Sequence, residues 1–238
     1  LSAAEEGTAR PLRRAMLLEA GRGERMRPLT LAVPKPLLPA GGRPLIEWHI
    51  ERLVRAGVTE IGINTSWLGE RLRAALGDGS RFGARIRWFD EGPEPLEAAG
   101  GIVNALALFG EEPFAVVNAD VWTDYALPPP APPAGRLAHL VLVPNPPYHP
   151  RGDFGLECGE LRLDGPVRHT FAGLASYEPR LFAALPAGRR ALKPVLDGAI
   201  AAGLVTGELY AGRWADVGTP ERLAALDASL GADAGRGA

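Results

Sequence analysis

The chain has 238 residues, 46% of them apolar, with 26 basic and 28 acidic side chains and a formal net charge of -2. That supports one large domain or two small ones, and the near balance of charge argues against a broad nucleic-acid-binding face while leaving room for one anion pocket. A lone cysteine, Cys158, excludes a disulfide framework and suits a reducing compartment with the thiol buried, and no apolar run is long enough to cross a bilayer.

Residues 1–12 carry acidic charge and no apolar run, which predicts a loose tail without a leader and makes the cytoplasm the default location. Ala15 to Glu19 reads as a central strand. A glycine- and arginine-rich loop follows, then a helix over Pro44 to Ala56, with Leu45, Ile46, Ile50, Leu53 and Val54 at helical spacing and Gly57 as its stop. Strands are predicted at 60–64, 84–89 and 114–118, alternating with helices at 67–76 and 100–109, and Asp120 follows the last strand closely. This alternation predicts an α/β fold with a mostly parallel sheet, whose ligands gather beyond the carboxyl ends of the strands. LPPPAPPAG, at 127–135, predicts an exposed loop of polyproline character. Strands at 137–143, 171–177 and 205–210, a hairpin at 155–163 and helices at 178–185, 192–202 and 220–230 complete the pattern. No repeat is present. A single domain over 13–230 with a smaller subdomain from its second half is the simplest arrangement, and 231–238 is expected to be a second tail.

The loop GRGERMRPLT (21–30) is neither a P-loop nor a dinucleotide fingerprint, since no GK[ST] follows and Met26 stands where a third glycine is needed. Gly21 and Gly23 permit close backbone approach, successive N–H groups can form an anion nest, and Arg25 and Arg27 add forked donors. Lys35 is stiffened by Pro34 and Pro36, which suits an ammonium that must meet developing charge. A surface turn with solvated arginines remains an equal reading of the glycines alone. Asp120 and Asp216 each follow a strand, where a carboxylate can cap a turn. Two of them in a chain with an Arg/Lys loop suggest Mg2+ held between carboxylates and substrate phosphates. His49, His139, His149 and His169 have no zinc-ligand spacing.

With GRGERMRPLT, PKPL (34–37), NAD (118–120) and WADVGTP (214–220) assembled, the chain resembles the sugar-phosphate nucleotidyltransferases from Arg14 to Leu230. SWLG (66–69) and PLEAAGGI (95–102) bring the likeness closer to the branch that transfers uridylyl from UTP to N-acetylmuramic acid 1-phosphate. The resemblance implies a Rossmann-like, GT-A-like nucleotidyltransferase fold with a mixed, mostly parallel central sheet and a small sugar-binding subdomain. It implies Arg25 on the β,γ-phosphates, Lys35 near the α-phosphate, and Mg2+ on Asp120 and Asp216. Ala20, Gly21 and Gly23 would line the nucleotide, Gly100 and Gly101 its base and ribose with Glu97 nearby, and Asn118 the metal shell. Asn104, Gly155, Glu157 and Lys193 would meet the sugar. Trp67, Trp122, Tyr125, Tyr148 and Trp214 are candidate pocket walls, though most aromatics are core residues. A lactyl carboxylate on the sugar would call for a cation or N–H group, for which Arg151, Arg168 and Lys193 are the candidates. Partners would be small molecules only, with neither nucleic acid nor membrane, and the chain a monomer or weak homodimer. Transfer to another sugar 1-phosphate, as in mannose 1-phosphate guanylyltransferases, and a non-catalytic nucleotide sensor are the alternatives. Glu19 departs from the family's usual Ala or Gly, and Ala98, Ala99 and Ala119 replace its usual Thr or Gly.

Overall fold

A computed structural model of the protein describes residues 10–19 and 21–234, apart from the side chain of Ala234. The apolar run RAMLL forms β1 (Arg14–Leu18), whose alternate side chains enter two different cores: Ala15 and Leu17 one, Met16 the other. After a series of 3-10 turns come a hairpin of two-residue strands, β2 (Pro39–Ala40) and β3 (Arg43–Pro44), and α1 (Leu45–Arg55). Next are β4 (Glu60–Thr65), α2 (Gly69–Leu76), β5 (Arg85–Asp90), α3 (Glu97–Phe109), β6 (Phe114–Asn118) and a three-residue strand, β7 (Val121–Thr123). The second half contributes β8 (Ala138–Val143), β9 (Phe154–Glu157), β10 (Glu160–Arg162), β11 (Arg168–Tyr177), α4 (Leu192–Ala201), β12 (Val205–Leu209), β13 (Trp214–Asp216) and α5 (Pro220–Ala234).

Nine strands join in the order β5-β4-β1-β6-β11-β8-β12-β10-β9, and β9 also pairs with β11. The first four of these strands are parallel to one another. Beyond β6 the pairing is antiparallel except between β8 and β12, so the predicted parallel character belongs to the first half. Helices α1 and α2 cover one face of the sheet, and α3 and α4 the other. A third core lies under α5, where Met26, Leu45, Trp122 and Val217 meet Leu223, Leu226 and Leu230.

Several expectations change. Glu178 to Leu185 is a series of turns closed by three-residue hydrogen bonds rather than a helix, in a short span that Pro186 ends. The proline-rich stretch packs inward: Leu127 is buried with Ala131 beside it, and the Pro130 carbonyl accepts from Ser176. Cys158 is exposed, because Cys158 and Gly159 are the two positive-φ residues of the β9–β10 turn. Leu12 is buried and Arg10 pairs with Glu112, so the last part of the expected N-terminal tail packs on the domain, and α5 runs on past Leu230. The rest of both expected tails lies outside the described residues.

Candidate active site

Strand β1 lies between β4 and β6, parallel to both, and its carboxyl end opens into a cleft of about 850 Å³. The cleft wall begins with the glycine loop. At Gly23, φ is +59° and a Cβ would sit 2.8 Å from the Thr30 methyl, so only glycine fits there. The Thr30 hydroxyl donates to the Gly23 carbonyl at 2.7 Å, and Met26 N–H donates to the same oxygen at 2.9 Å. Around Gly21 there is open space for close approach. Ala20 lies outside the described residues.

Arg25 and Lys35 both line this cleft. Arg25 reaches Gly218, whose Cβ position is 3.3 Å from its guanidinium nitrogen, whereas Arg27 turns outward toward Glu24. Lys35 is held in a short turn beside buried Pro36, with its ammonium 2.6 Å from Asp120 Oδ2.

The two aspartates converge. Strand β13 pairs with β7 so that Asp216 lies opposite Val121, and Val217 N–H donates to the Asp120 carbonyl at 2.9 Å. Asp216 Oδ2 takes a bond from Arg222 at 2.7 Å. Each aspartate therefore has one oxygen on a cation, and its Oδ1 has no hydrogen-bond partner among the described residues. Both line a second hollow of about 350 Å³ with Asn118, Tyr148, His149, Gly173 and Trp214. Gly173 makes room for Asn118, for at its φ of +73° a Cβ would fall 2.7 Å from the amide nitrogen, within a bulge of β11. Two half-free carboxylates suit a hard divalent cation that takes its other ligands from water and phosphate oxygens. Among the described residues, no three or more acidic, imidazole or thiol groups form a ready-made cage.

Glu19 lies in the floor of the main cleft, buried, with Oε2 unpartnered. Burial, and next the Asp120 charge, hold its carboxyl well above the usual range, and the Lys35 charge offsets part of this. Its N–H donates to Asn64 Oδ1 at 2.8 Å, Asn64 donates to Glu91 at 2.7 Å, and Glu91 accepts the Leu96 N–H at 2.7 Å. This relay fixes the end of β1 to the start of α3. Burial also raises the Glu91 carboxyl.

Glu97 opens α3 with φ +60°, an uncommon conformation for a side-chain-bearing residue, and pairs with Arg189 at 2.7 Å. Both line the cleft. Gly100 and Gly101 do not. A Cβ on Gly100 would meet the Gly188 carbonyl at 2.5 Å, and one on Gly101 would meet Glu91 at 2.6 Å, so these glycines admit neighbouring chain. Ala99 and Gly100 N–H both donate to the Arg190 carbonyl, docking the 188–190 loop at the cleft edge.

Of the residues expected at the sugar, none lines either hollow. Asn104 is exposed on α3, Gly155 packs against the Asp164 carbonyl, Glu157 pairs with Arg162, and Lys193 pairs with Asp197. Trp67 donates to the Thr30 carbonyl and braces the loop from outside, while Tyr125 is tied to Glu208. Sequence reasoning missed Arg189 and Arg222, the latter with its guanidinium carbon 3.4 Å from the centre of the Tyr148 ring. Burial pushes the Tyr148 hydroxyl up, with the Asp216 charge adding to it.

The family model described as nucleotidyl transferase matches residues 14–156. The chain is 47% identical to the N-acetylmuramate alpha-1-phosphate uridylyltransferase of Neisseria meningitidis serogroup B, over 92% of this chain and 99% of that one. It is 32% identical to the enzyme of the same name from Caulobacter vibrioides, over 91% and 96%. In fold it matches a UDP-glucose pyrophosphorylase solved with UDP-glucose, with a TM-score of 0.71 at 18% identity over 93% of this chain and 99% of that one. The mixed sheet is thus the Rossmann-like nucleotidyltransferase fold. The chain belongs to the nucleotidyl transferase family, among its sugar-1-phosphate nucleotidyltransferases.

Proposed function

We propose that the protein transfers a uridylyl group from UTP to N-acetylmuramic acid 1-phosphate, giving UDP-N-acetylmuramic acid and pyrophosphate, as a cytoplasmic step of peptidoglycan recycling that uses Mg2+. The observation that carries the substrate pair is the near full-length identity to the Neisseria uridylyltransferase. Support for the chemistry comes from Arg25, Lys35 and Asp120 lining the main cleft, with Asp120 also lining, beside Asp216, the hollow next to it.

On this reading the triphosphate lies along the Gly21–Arg25 loop and the sugar phosphate enters from the hollow beside Tyr148 and Trp214. A phosphate oxygen of the sugar attacks the α-phosphorus, the bond to the β-phosphate breaks, and pyrophosphate leaves in line. A phosphate monoester dianion is itself a nucleophile, so the side chains position the reactants and stabilise charge. Lys35 meets the charge that builds at the α-phosphate, and Arg25 favours the departing pyrophosphate. Asp120 and Asp216 would hold the divalent cation, which when bound lowers repulsion between the two phosphate groups. Glu97, Ala98 and Arg189 border the nucleoside end.

The test follows pyrophosphate release by purified protein with Mg2+, each of five nucleoside triphosphates, and muramate, glucosamine, glucose or mannose 1-phosphates. Release that requires UTP and the muramate sugar is expected. Release with a different pair would keep the chemistry and overturn the substrates, and nucleotide binding without release under any pair would overturn catalysis.

A further inference from the structure

A third hollow, about 470 Å³, lies between β13, the first turns of α5 and Tyr148. It shares Tyr148, Trp214 and Asp216 with the hollow beside the two carboxylates, so the two adjoin. Trp122 lines it. That residue is 6% exposed, and its indole N–H is buried with no acceptor. Such a donor is costly to leave unmade and points to a missing partner. The partner must be an acceptor, because an indole N–H only donates. Arg222 stands at the same wall. It gives one bond to Asp216, and the rest of its fork has no hydrogen-bond partner among the described residues while its guanidinium carbon sits over the Tyr148 ring. Arg213 is occupied by Ser229 and Asp233. Asp216, the acidic group of the lining, is already bridged by Arg222, and Pro146, Ala225 and Leu226 supply apolar surface.

We propose that this hollow receives the carboxylate-bearing arm of the sugar 1-phosphate, with the Trp122 N–H and the free Arg222 donors taking its two oxygens. The inference rests on the function proposed above, since N-acetylmuramic acid 1-phosphate carries a lactyl group that N-acetylglucosamine 1-phosphate lacks. A lactyl group is an acceptor-only anion with one methyl, and it matches a wall of donors beside apolar side chains. None of Arg151, Arg168 and Lys193 lines this hollow; Arg168 donates to the Asp153 carbonyl and Lys193 to Asp197. The hollow is then the specificity pocket of the enzyme, lying beyond Asp216 from the reacting phosphates.

The experiment compares kcat/KM for the two sugar 1-phosphates, with UTP, in wild type, Trp122→Phe and Ala225→Phe. Trp122→Phe removes the N–H. Ala225→Phe narrows the hollow from the exposed side of α5, where folding is not at risk. Each is expected to lower kcat/KM for the muramate sugar about 10- to 100-fold, the worth of a hydrogen bond to a charged group. The KM for UTP and whatever rate the glucosamine sugar supports should stay unchanged, as should the melting temperature of Ala225→Phe, while Trp122→Phe loses packing in the third core and is assayed well below its own melting temperature. Equal losses on both sugars, or no loss in either variant, would overturn the assignment. A wild type that turns over the glucosamine sugar and not the muramate sugar would overturn the substrate reading itself, and this inference with it.

Discussion

Glu19 stands where the sequence resemblance leads one to expect Ala or Gly, and its burial has a measurable sign. An acid whose folded pKa is raised above its ordinary 4.5 has its charged form penalised in the fold. Its contribution to stability is complete below the unfolded pKa and is lost as pH rises through the folded one. Glu19→Gln keeps the shape and removes the charge. It is therefore expected to melt with wild type near pH 4 and above it at pH 8, by about 1–2 kcal/mol, the cost of an unsatisfied buried polar group. Thermal melts across that range check it, and a difference that does not grow with pH would mean that Glu19 is well solvated in the fold and its carboxyl is not raised.

Among the elements, α3 and the loop at 188–190 form one working unit. Gly100→Ala would drive a Cβ against the Gly188 carbonyl, which is backbone and cannot swing aside. A loss of roughly 1–3 kcal/mol is expected, as for other overpacked sites, together with a raised KM for UTP because Arg189 rides on that loop. Gly198→Ala in α4 is the control. Nothing lies within 4 Å of its Cβ position, so helix propensity alone acts and stability should rise by about 0.5–1 kcal/mol. Urea denaturation of both variants tests the contrast. The sequence revealed α1 and the strands β4, β5, β6 and β8 to within about two residues because each carries an unbroken period or an apolar run. Strands of two or three residues, such as β7 and β13, hold no period at all. They exist through pairing with a distant partner, which local pattern does not record.

Across the whole molecule, the candidate site draws on both halves of the chain, with Asp120 from the first and Asp216 from the second. If they hold the cation together, Asp120→Asn and Asp216→Asn should each lower kcat on the order of 100-fold or more while the melting temperature changes little. Pyrophosphate release and calorimetry in parallel decide it, and near-normal turnover at ordinary Mg2+ would remove both residues from the metal. Much of this site was legible because its signals are chemical: glycines that need space, a lysine between prolines, carboxylates after strands. Gly100 and Gly101 misled for the same reason. A glycine marks close approach without saying what approaches, and here it is chain rather than ligand. Arg189 and Arg222 carried no signal, since an arginine in a loop or on a helix is ordinary until folding decides what it faces.

The ribbon of β7 and β13 also makes the candidate site depend on a late part of the chain. Its second strand ends at Asp216, so a nascent chain that has already completed the glycine loop, Lys35 and Asp120 still lacks the strand that brings the second carboxylate into place. If the two carboxylates hold the cation together, a chain released before Asp216 would carry the first of them without the second and would not turn over UTP.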